Sequence, residues 1–443
     1  MDKNSKRFQL IWFSICSIII LLAEHLTLFS FISASPFSYG IYTVLLSLLI
    51  FINIHPDIVN KLRNKKLHHC AGGVFLLKLF LLTSVISIII VLLNPHYTVK
   101  TLIWIFIIEF IMFWNGIIRT YLFSTQMGIK LRIIGAICGM IPVINLIILI
   151  KIIRIVDYEI EIEGKKEELN EHRKDLLICK TKYPIVMIHG VFFRDFKHFN
   201  YWGRIPAELE KNGARIFYGN HESASPIDKS GEELAERIKE IIKETGAEKV
   251  NIIAHSKGGL DSRYMICKCG VEKYIASLTT INTPHRGCEF AEYLLDGTIP
   301  EKTKQTVALT YNNALKLLGD KNPDFLAAVT DLTKTSCTKF NEQIKDSSLV
   351  YYQSVGSFIR NPKGGRFPLN HSYNLVKRFD GRNDGLVGEK SFEWGSKFTF
   401  LSPEGKRGIS HGDMIDLNRE NIRGFDVREF YVQLVSDLRK MGF

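Results

Sequence analysis

The chain has 443 residues, enough for two or three domains, and carries 57 basic against 45 acidic side chains. The charge is uneven, since residues 1–156 hold 14 Lys and Arg against 4 Asp and Glu, which leaves 43 against 41 in the remainder. The basic excess therefore flanks apolar segments of the N-terminal third, and this distribution argues against a nucleic-acid-binding protein.

Five apolar segments of the N-terminal third are long enough, or nearly so, to cross a bilayer. They cover residues 8–31, 39–54, 73–93, 101–123 and 131–153. The first is too long for a cleaved signal peptide and shows no small-residue cleavage site, so we expect it to be retained. Residues 1–156 are thus predicted to form an all-α transmembrane domain of about five helices. The charged residues 157–182 are predicted to be a linker or a juxtamembrane helix.

Basic residues cluster before the first, third and fifth of these segments. Because cytoplasmic connections are rich in Lys and Arg, these clusters are expected to face the cytoplasm. An odd number of crossings then places the rest of the chain outside, as an extracytoplasmic domain of an integral protein of the cell membrane. Pro142 and Asn145 leave a second interpretation open, in which the fifth segment is re-entrant and the side is reversed.

Residues 250–264 have the layout of a nucleophile elbow, a sharp turn from a strand to a helix that presents a serine. An apolar run ends just before Ser256, and two glycines follow it. The turn requires small residues two positions before and after the serine, and Ala254 and Gly258 meet this requirement. The alternative is a serine that merely caps a helix. Ser256 is therefore the candidate nucleophile.

Short apolar strands alternate with helices after residue 183, which predicts a mostly parallel sheet covered by helices on both faces. An apolar strand ends in His189 and Gly190, and the amide of Val191 directly after them is the natural donor to an oxyanion hole. The amide of Lys257, after the candidate nucleophile, would be the second donor. His189 itself is expected to shape the loop.

Three motifs in this order resemble the bacterial triacylglycerol lipases of the α/β-hydrolase superfamily. They are His-Gly after a Tyr-Pro-Ile-Val strand, Ala-His-Ser-Lys-Gly-Gly-Leu-Asp-Ser-Arg-Tyr, and Thr-Pro-His-Arg-Gly. The resemblance covers residues 183–443, including Asn-Asp-Gly-Leu-Val at 383–387, and leaves the membrane segments outside it. It implies an α/β-hydrolase domain over residues 183–443.

The resemblance places the catalytic acid at Asp384, although Asn-Asp-Gly is also suited to a plain turn and Asp380 is a local competitor. It places the base at His411, because this fold uses the chain order Ser, Asp, His. The weaker candidates are His255, His285 and His371. His255 precedes the nucleophile and is expected to point away from the site.

An insertion at about residues 296–346 lies where such enzymes carry a lid, and plain packing helices are an equally good interpretation of its periodicity. Related lipases often bind a structural calcium through two aspartates. Asp413 matches one of them, and residues 358–378 offer no partner. The family's cysteine after Asn-Asp-Gly-Leu-Val is also absent, so we expect no disulfide there, no metal and no cofactor.

The sequence therefore predicts a membrane-anchored serine carboxylic-ester hydrolase that cleaves lipid esters through Ser256, Asp384 and His411 and an acyl-enzyme. Two alternatives stay open. One is a non-hydrolytic membrane protein that binds a lipid or a partner, and the other is an acyltransferase with the same triad. The expected partners are a lipid ester and the bilayer, not a nucleic acid, and the sequence does not indicate an oligomeric state.

Overall fold

The computed structural model describes residues 3–25, 36–59, 62–94, 97–191, 200–295, 300–317, 320–402 and 404–443. The chain divides into two compact units, Met1–His172 and Arg173–Phe443. The division falls within the segment predicted to be a linker, and a helix occupies the first part of that segment as far as Arg173.

The described part of the first unit is helical. Its helices are α1 (Lys3–His25), α2 (Pro36–Ile54), α3 (Lys65–Leu93), α4 (Val99–Phe123), α5 (Gly128–Cys138) and α6 (Ile144–Arg173). Three stretches are long and apolar enough to cross a membrane, namely Arg7–His25, Lys65–Leu93 and Val99–Phe123, and Tyr39–Ile54 is a shorter apolar helix. These four match the first four predicted segments, except that the end of the first, residues 26–31, lies outside the described residues.

Helices α3 and α4 pack closely because glycines face each other. A Cβ atom at Gly73 would lie 3.0 Å from the carbonyl oxygen of Gly116, so only the missing side chains permit this approach. Small residues are the usual means by which helices approach each other in a membrane. Apolar side chains such as Leu79 and Met112 fill the neighbouring core.

The predicted fifth segment is two helices and not one. Helix α5 ends at Cys138 and α6 begins only at Ile144. Pro142 lies between them, and a proline lacks the N–H group that a continuous helix needs and clashes with the preceding turn. The single apolar helix expected over residues 131–153 is therefore corrected to a pair of helices around a break.

The second unit is built on a sheet of six parallel strands in the order β2-β1-β3-β4-β5-β6. The strands are β1 (Ile185–Ile188), β2 (Ile216–Tyr218), β3 (Val250–His255), β4 (Ile275–Ile281), β5 (Tyr351–Ser357) and β6 (Lys397–Leu401). The predicted parallel sheet is confirmed. Edge strand β6, which starts at an exposed lysine, was not predicted.

Helices cover both faces of this sheet, as the alternation along β1 shows. Ile185 and Met187 pack into one core with Trp202 and the C-terminal helix. Val186 and Ile188, one residue out of phase, pack into the other core. The helices of the unit are α7 (Ile205–Lys211), α8 (Ile227–Thr245), α9 (Lys257–Lys268), α10 (Glu289–Tyr293), α11 (Glu301–Leu317), α12 (Phe325–Thr330), α13 (Lys334–Gln343), α14 (Leu369–Asp380) and α15 (Val427–Lys440).

The predicted lid segment contains α11, α12 and α13 in its described part. The leucines that could form an apolar cover in this segment differ in exposure. Leu315 is buried, Leu317 is exposed, Leu326 is half-buried, and Leu318 lies outside the described residues. Helix α11 also exposes Val307 and Leu309. The segment thus presents apolar side chains outward as well as inward.

Candidate active site

Ser256 occupies a strained turn between β3 and α9. Its φ is +54° and its ψ is −131°, a region that residues other than glycine rarely adopt. The turn is held by the Ser256 amide, which donates to the carbonyl of Ile281 on the neighbouring strand at 2.9 Å. A backbone strained in this way, at the carboxyl end of a central strand, presents the serine at the sheet edge where ligands of such folds bind.

The residues around the elbow have to be small because the backbone is crowded. A Cβ atom at Gly258 would lie 2.4 Å from the carbonyl oxygen of His189, and one at Gly190 would lie 2.8 Å from Cβ of Ser256. Ala254, two residues before the serine, is fully buried. The elbow predicted from the spacing of these residues is therefore present in the backbone.

Asp384 is fully buried and held by four hydrogen bonds. Its Oδ1 accepts from the amides of Leu386 and Val387 at 2.9 and 2.8 Å. Its Oδ2 accepts from Nδ2 of Asn282 and lies 2.6 Å from Nδ1 of His411. A carboxylate with this many donors is fixed in position, and its negative charge is directed at the imidazole.

His411 is tied to Asp384 through its backbone as well, since its amide donates to the Asp384 carbonyl at 2.9 Å. With Nδ1 donating to the carboxylate, the neutral ring carries a lone pair on Nε2, which can accept a proton. The structure thus brings together the predicted acid and the predicted base, 27 residues apart in sequence.

The ring of His411 also lies next to the elbow. Its centroid is 4.4 Å from that of His255, the residue that directly precedes Ser256. Within the described part of the chain, the Ser256 hydroxyl makes no hydrogen bond, to His411 or to any other group. Catalytic hydrogen bonds are often long before substrate binds.

The two predicted oxyanion donors flank the elbow. Lys257 begins α9, so its amide has no acceptor within the helix. Val191 follows Gly190, whose backbone packs against Ser256. Among the hydrogen bonds of the described residues, none uses either amide.

Tyr201 and His255 lie beside the predicted triad. No sequence motif marks Tyr201, and His255 was a weaker candidate for the base. The Tyr201 hydroxyl accepts from the amide of Gly190 at 3.1 Å and lies 2.7 Å from Nδ1 of His255. Burial and the neighbouring His411 hold the pKa of His255 well below its ordinary value, so this ring is neutral. The expectation that His255 points away from the site is corrected, since its ring packs on that of His411.

The competing residues have other roles. Asp380 accepts from the amides of Glu289 and Phe290 at 3.0 and 3.2 Å and so holds the start of α10. His285 is fully buried, stacks on Trp394, and lies 2.9 Å from the hydroxyl of Thr280. Neither residue is linked to the Asp384–His411 pair.

The Lys257 side chain points into the protein and anchors the first turn of α9. Its Nζ lies 2.6 Å from Oδ1 of Asp261 and 3.1 Å from Oγ of Ser230, all three being buried. Burial raises the pKa of Asp261 to about 6, against the lowering effect of the ammonium group. This ion pair lies directly behind the amide proposed as an oxyanion donor.

The residues around Asp413 do not fit the calcium site of related lipases. Arg407 places Nη2 3.1 Å from Oδ1 and Nη1 3.1 Å from Oδ2, the second contact being an ion pair outside hydrogen-bonding geometry. Oδ2 also accepts from the amide of Ser410 at 2.8 Å. The aspartate oxygens are thus occupied by the protein's own donors, and a guanidinium charge repels a cation there. Among the described residues no three His, Cys, Asp or Glu side chains are grouped to hold a metal.

Several known proteins are similar to parts of this chain. Residues 185–355 match the family described as "Putative serine esterase (DUF676)". A triacylglycerol lipase of Pseudarthrobacter phenanthrenivorans is 35% identical over 181 residues, which cover 38% of this chain and 56% of that lipase. Triacylglycerol lipase 2 of Saccharomyces cerevisiae is 31% identical over 267 residues, which cover 55% of this chain and 74% of that protein. The crystal structure of Staphylococcus hyicus lipase is similar at 18% identity and a TM-score of 0.47, covering 59% of this chain and 97% of that one.

The parallel sheet and the strained serine turn define the second unit as an α/β-hydrolase. The chain spans about half the length of several of the curated relatives that it matches. It covers almost three quarters of the yeast protein. It belongs to the triacylglycerol lipase family, a family of carboxylic ester hydrolases.

Proposed function

We propose that this protein is a membrane-anchored lipase or esterase that hydrolyses lipid esters through Ser256, His411 and Asp384. The observation that carries the proposal is the buried Asp384–His411 pair, joined at 2.6 Å and packed beside the strained turn of Ser256. A protein that only binds lipid has no need for a serine in a strained conformation next to an oriented imidazole.

In the first half-reaction, Nε2 of His411 takes the hydroxyl proton of Ser256 while the serine oxygen attacks the ester carbonyl carbon. Asp384 holds the imidazole in the tautomer that accepts this proton and stabilises the imidazolium. The tetrahedral intermediate collapses when His411 donates the proton to the leaving alcohol, and an acyl-enzyme on Ser256 remains. Water, activated by His411, then releases the acid and regenerates the serine.

The amides of Val191 and Lys257 stabilise the negative oxygen of each tetrahedral intermediate. Fixed backbone donors suit this task because they need no reorganisation as charge develops. The Lys257–Asp261 ion pair supports one of them from behind, because it fixes the first turn of α9.

The apolar helices of the first unit supply the membrane anchor. Three are long enough to cross the hydrocarbon core, and α2 contributes a shorter apolar helix. A permanent anchor keeps the enzyme at the surface where water-insoluble esters are found, which favours a lipid substrate over a soluble one.

The test is hydrolysis of a medium-chain nitrophenyl ester and of an acylglycerol by the full-length chain in detergent. We expect Ser256→Ala to lower kcat by about 10⁴-fold or more, as removal of a serine nucleophile does. The matched control is Ser277→Ala, which removes a buried hydroxyl bonded to Asn251 on the same sheet. Retained turnover in Ser256→Ala, with the control unchanged, would contradict the proposal.

A further inference from the structure

The contacts of α5 and α6 indicate on which side of the membrane the chain leaves the first unit. Helix α5 has 11 residues and is therefore about 16 Å long, half of the roughly 30 Å of a hydrocarbon core. It starts at Gly128, directly after the turn that follows α4, and it ends at Cys138. A helix of this length enters a membrane without crossing it.

Helix α6 returns to the side from which α5 started. Glu159, buried on α6, accepts hydrogen bonds from the amides of Thr125 and Gln126 at 2.8 and 3.3 Å. It also accepts from the hydroxyls of Thr125 and Ser124, and Ser124 is the C-cap residue of α4. The carboxylate thus ties α6 to the same turn that leads into α5, so α5 and α6 form a hairpin.

The rest of α6 runs along the start of α3. Glu167 accepts from the amides of Asn64 and Arg63 at 3.1 and 3.3 Å, and Asn64 is the N-cap of α3. Arg63 also pairs with Glu171. Because α3 and α4 are antiparallel neighbours, the start of α3, the end of α4 and the end of α6 all lie on one side.

The charges of the hairpin agree with this path. Residues 133–150 contain no charged side chain, and Lys130 and Arg132 precede this stretch while Lys151 and Arg154 follow it. In a hairpin the basic residues lie on the base side of the apolar stretch, which forms the tip. Met140 and Val143, at the break between the helices, are 93% and 68% exposed, which suits a tip immersed in lipid.

We infer that α5 and α6 form a re-entrant hairpin and that the hydrolase unit emerges on the cytoplasmic side of the membrane. The side that holds the hairpin base also holds Arg63, Lys65 and Lys66. The opposite connections, residues 26–35 and 94–98, carry no Lys or Arg, and the nearest basic residue on that side is Lys100, near the start of α4. By the positive-inside rule the basic side is cytoplasmic. This reverses the extracytoplasmic placement expected from five crossings. Asn115 and Arg119, late in α4, donate to the carbonyl of Asn53, so α2 returns to the side on which α4 ends and the fifth segment does not cross.

The topology also limits the substrate, and this step rests on the proposed function. A hydrolase unit on the cytoplasmic side meets the inner leaflet, so its substrates are lipid esters of that leaflet and not extracellular fats.

The experiment is protease protection of the full-length chain with an epitope after Phe443, in intact and in permeabilised cells. We expect the epitope to survive external protease in intact cells and to be lost after permeabilisation. The control is the same epitope inserted after Asn94, between α3 and α4, which we expect to be lost already in intact cells. Loss of the C-terminal epitope in intact cells would overturn the inference.

A second measurement keeps the inference testable if the insertion disturbs folding. A fluorescent protein that matures only in the cytoplasm, fused after Phe443, is expected to fluoresce, and a dark fusion of normal abundance would overturn the inference. Neither readout depends on Ser256. Retained turnover in Ser256→Ala would therefore reject the proposed function and leave the topology unaffected. An epitope accessible from outside would reject the topology and leave the proposed function unaffected.

Discussion

Tyr201 connects three parts of the site through one hydroxyl group. It accepts from the Gly190 amide, next to the proposed oxyanion donor, and contacts His255, which packs on His411. We expect Tyr201→Phe to lower kcat about tenfold with little change in KM, because the oxyanion loop and the base lose their common support. Steady-state kinetics on a soluble ester measure this.

The matched control is Tyr352→Phe. The buried hydroxyl of Tyr352 also accepts a hydrogen bond from a backbone amide, that of Ser347, and it lies away from the site. Equal kcat values for the two variants would mean that the hydroxyl of Tyr201 only stabilises the fold.

Arg407 is paired with Asp413, which lies two residues after His411. Its Nη2 also donates to Glu420 at 3.0 Å, so the loop of His411 is held by an ion-pair network. We expect activity to be insensitive to an excess of a calcium chelator. We expect Arg407→Gln to lower kcat about tenfold and Arg407→Lys to restore part of it, because misplacement of the base slows proton transfer.

The control for Arg407→Gln is Arg237→Gln, which breaks an exposed ion pair with Glu240. Loss of wild-type activity in the chelator, with recovery on added calcium, would show that a metal is required after all.

The three proposed triad residues could be assigned from the sequence, whereas Tyr201, Arg407 and Asn282 around them could not. Ser256 lies in a local pattern of small residues, and Asp384 and His411 lie in motifs whose chain order is that of the family. Tyr201 and Arg407 contact partners that lie 6 to 54 residues away in sequence, so no local pattern marks them. Asn282, which donates a hydrogen bond to Asp384, directly follows β4, but nothing in the sequence shows that it faces Asp384.

At the scale of single elements, α9 carries a buried charge pair that is sensitive to pH. The folded pKa of Asp261 is about 6, above the ordinary 3.8, because burial disfavours the carboxylate. Between about pH 4 and pH 6 the unfolded chain releases a proton that the folded chain keeps. The stabilising contribution of this group is therefore complete below pH 4 and is lost as the pH rises to 6.

We expect the unfolding free energy of the wild type, relative to Asp261→Asn, to fall by up to roughly 3 kcal/mol between pH 4 and 6.5 and then to level off. Denaturant unfolding of both proteins across this range measures the difference. The exposed Asp437, replaced by Asn, is the control. A difference that grew with pH would contradict the assignment of the raised pKa.

Hydropathy alone does not determine whether the apolar segment of α5 and α6 crosses the membrane or forms a hairpin. Residues 131–153 are apolar enough to cross a membrane, and Pro142 with Asn145 left both a span and a re-entrant segment open. The contacts of Glu159 with the turn after α4 distinguish them, and such contacts depend on tertiary structure. The strand pattern of the second unit was easier to predict, because short apolar runs between helices have few alternatives.

At the scale of the whole molecule, the chain combines an apolar helical unit with a hydrolase unit of ordinary soluble composition. The family resemblance covers only the second unit, so the helical unit has to be interpreted from its own physics. Buried Glu24 and Glu109 on its helices, the second bonded to Thr83, have no role in the proposed reaction.

The proposed reaction requires an activated serine, and covalent labelling of the intact protein by a fluorophosphonate tests this most directly. Peptide mass spectrometry should locate the label on Ser256 in the wild type. Labelling should slow by at least about 10³-fold in His411→Ala, because the serine then has no base. Equal labelling rates in both proteins, or a label on another residue, would contradict a nucleophile activated by His411.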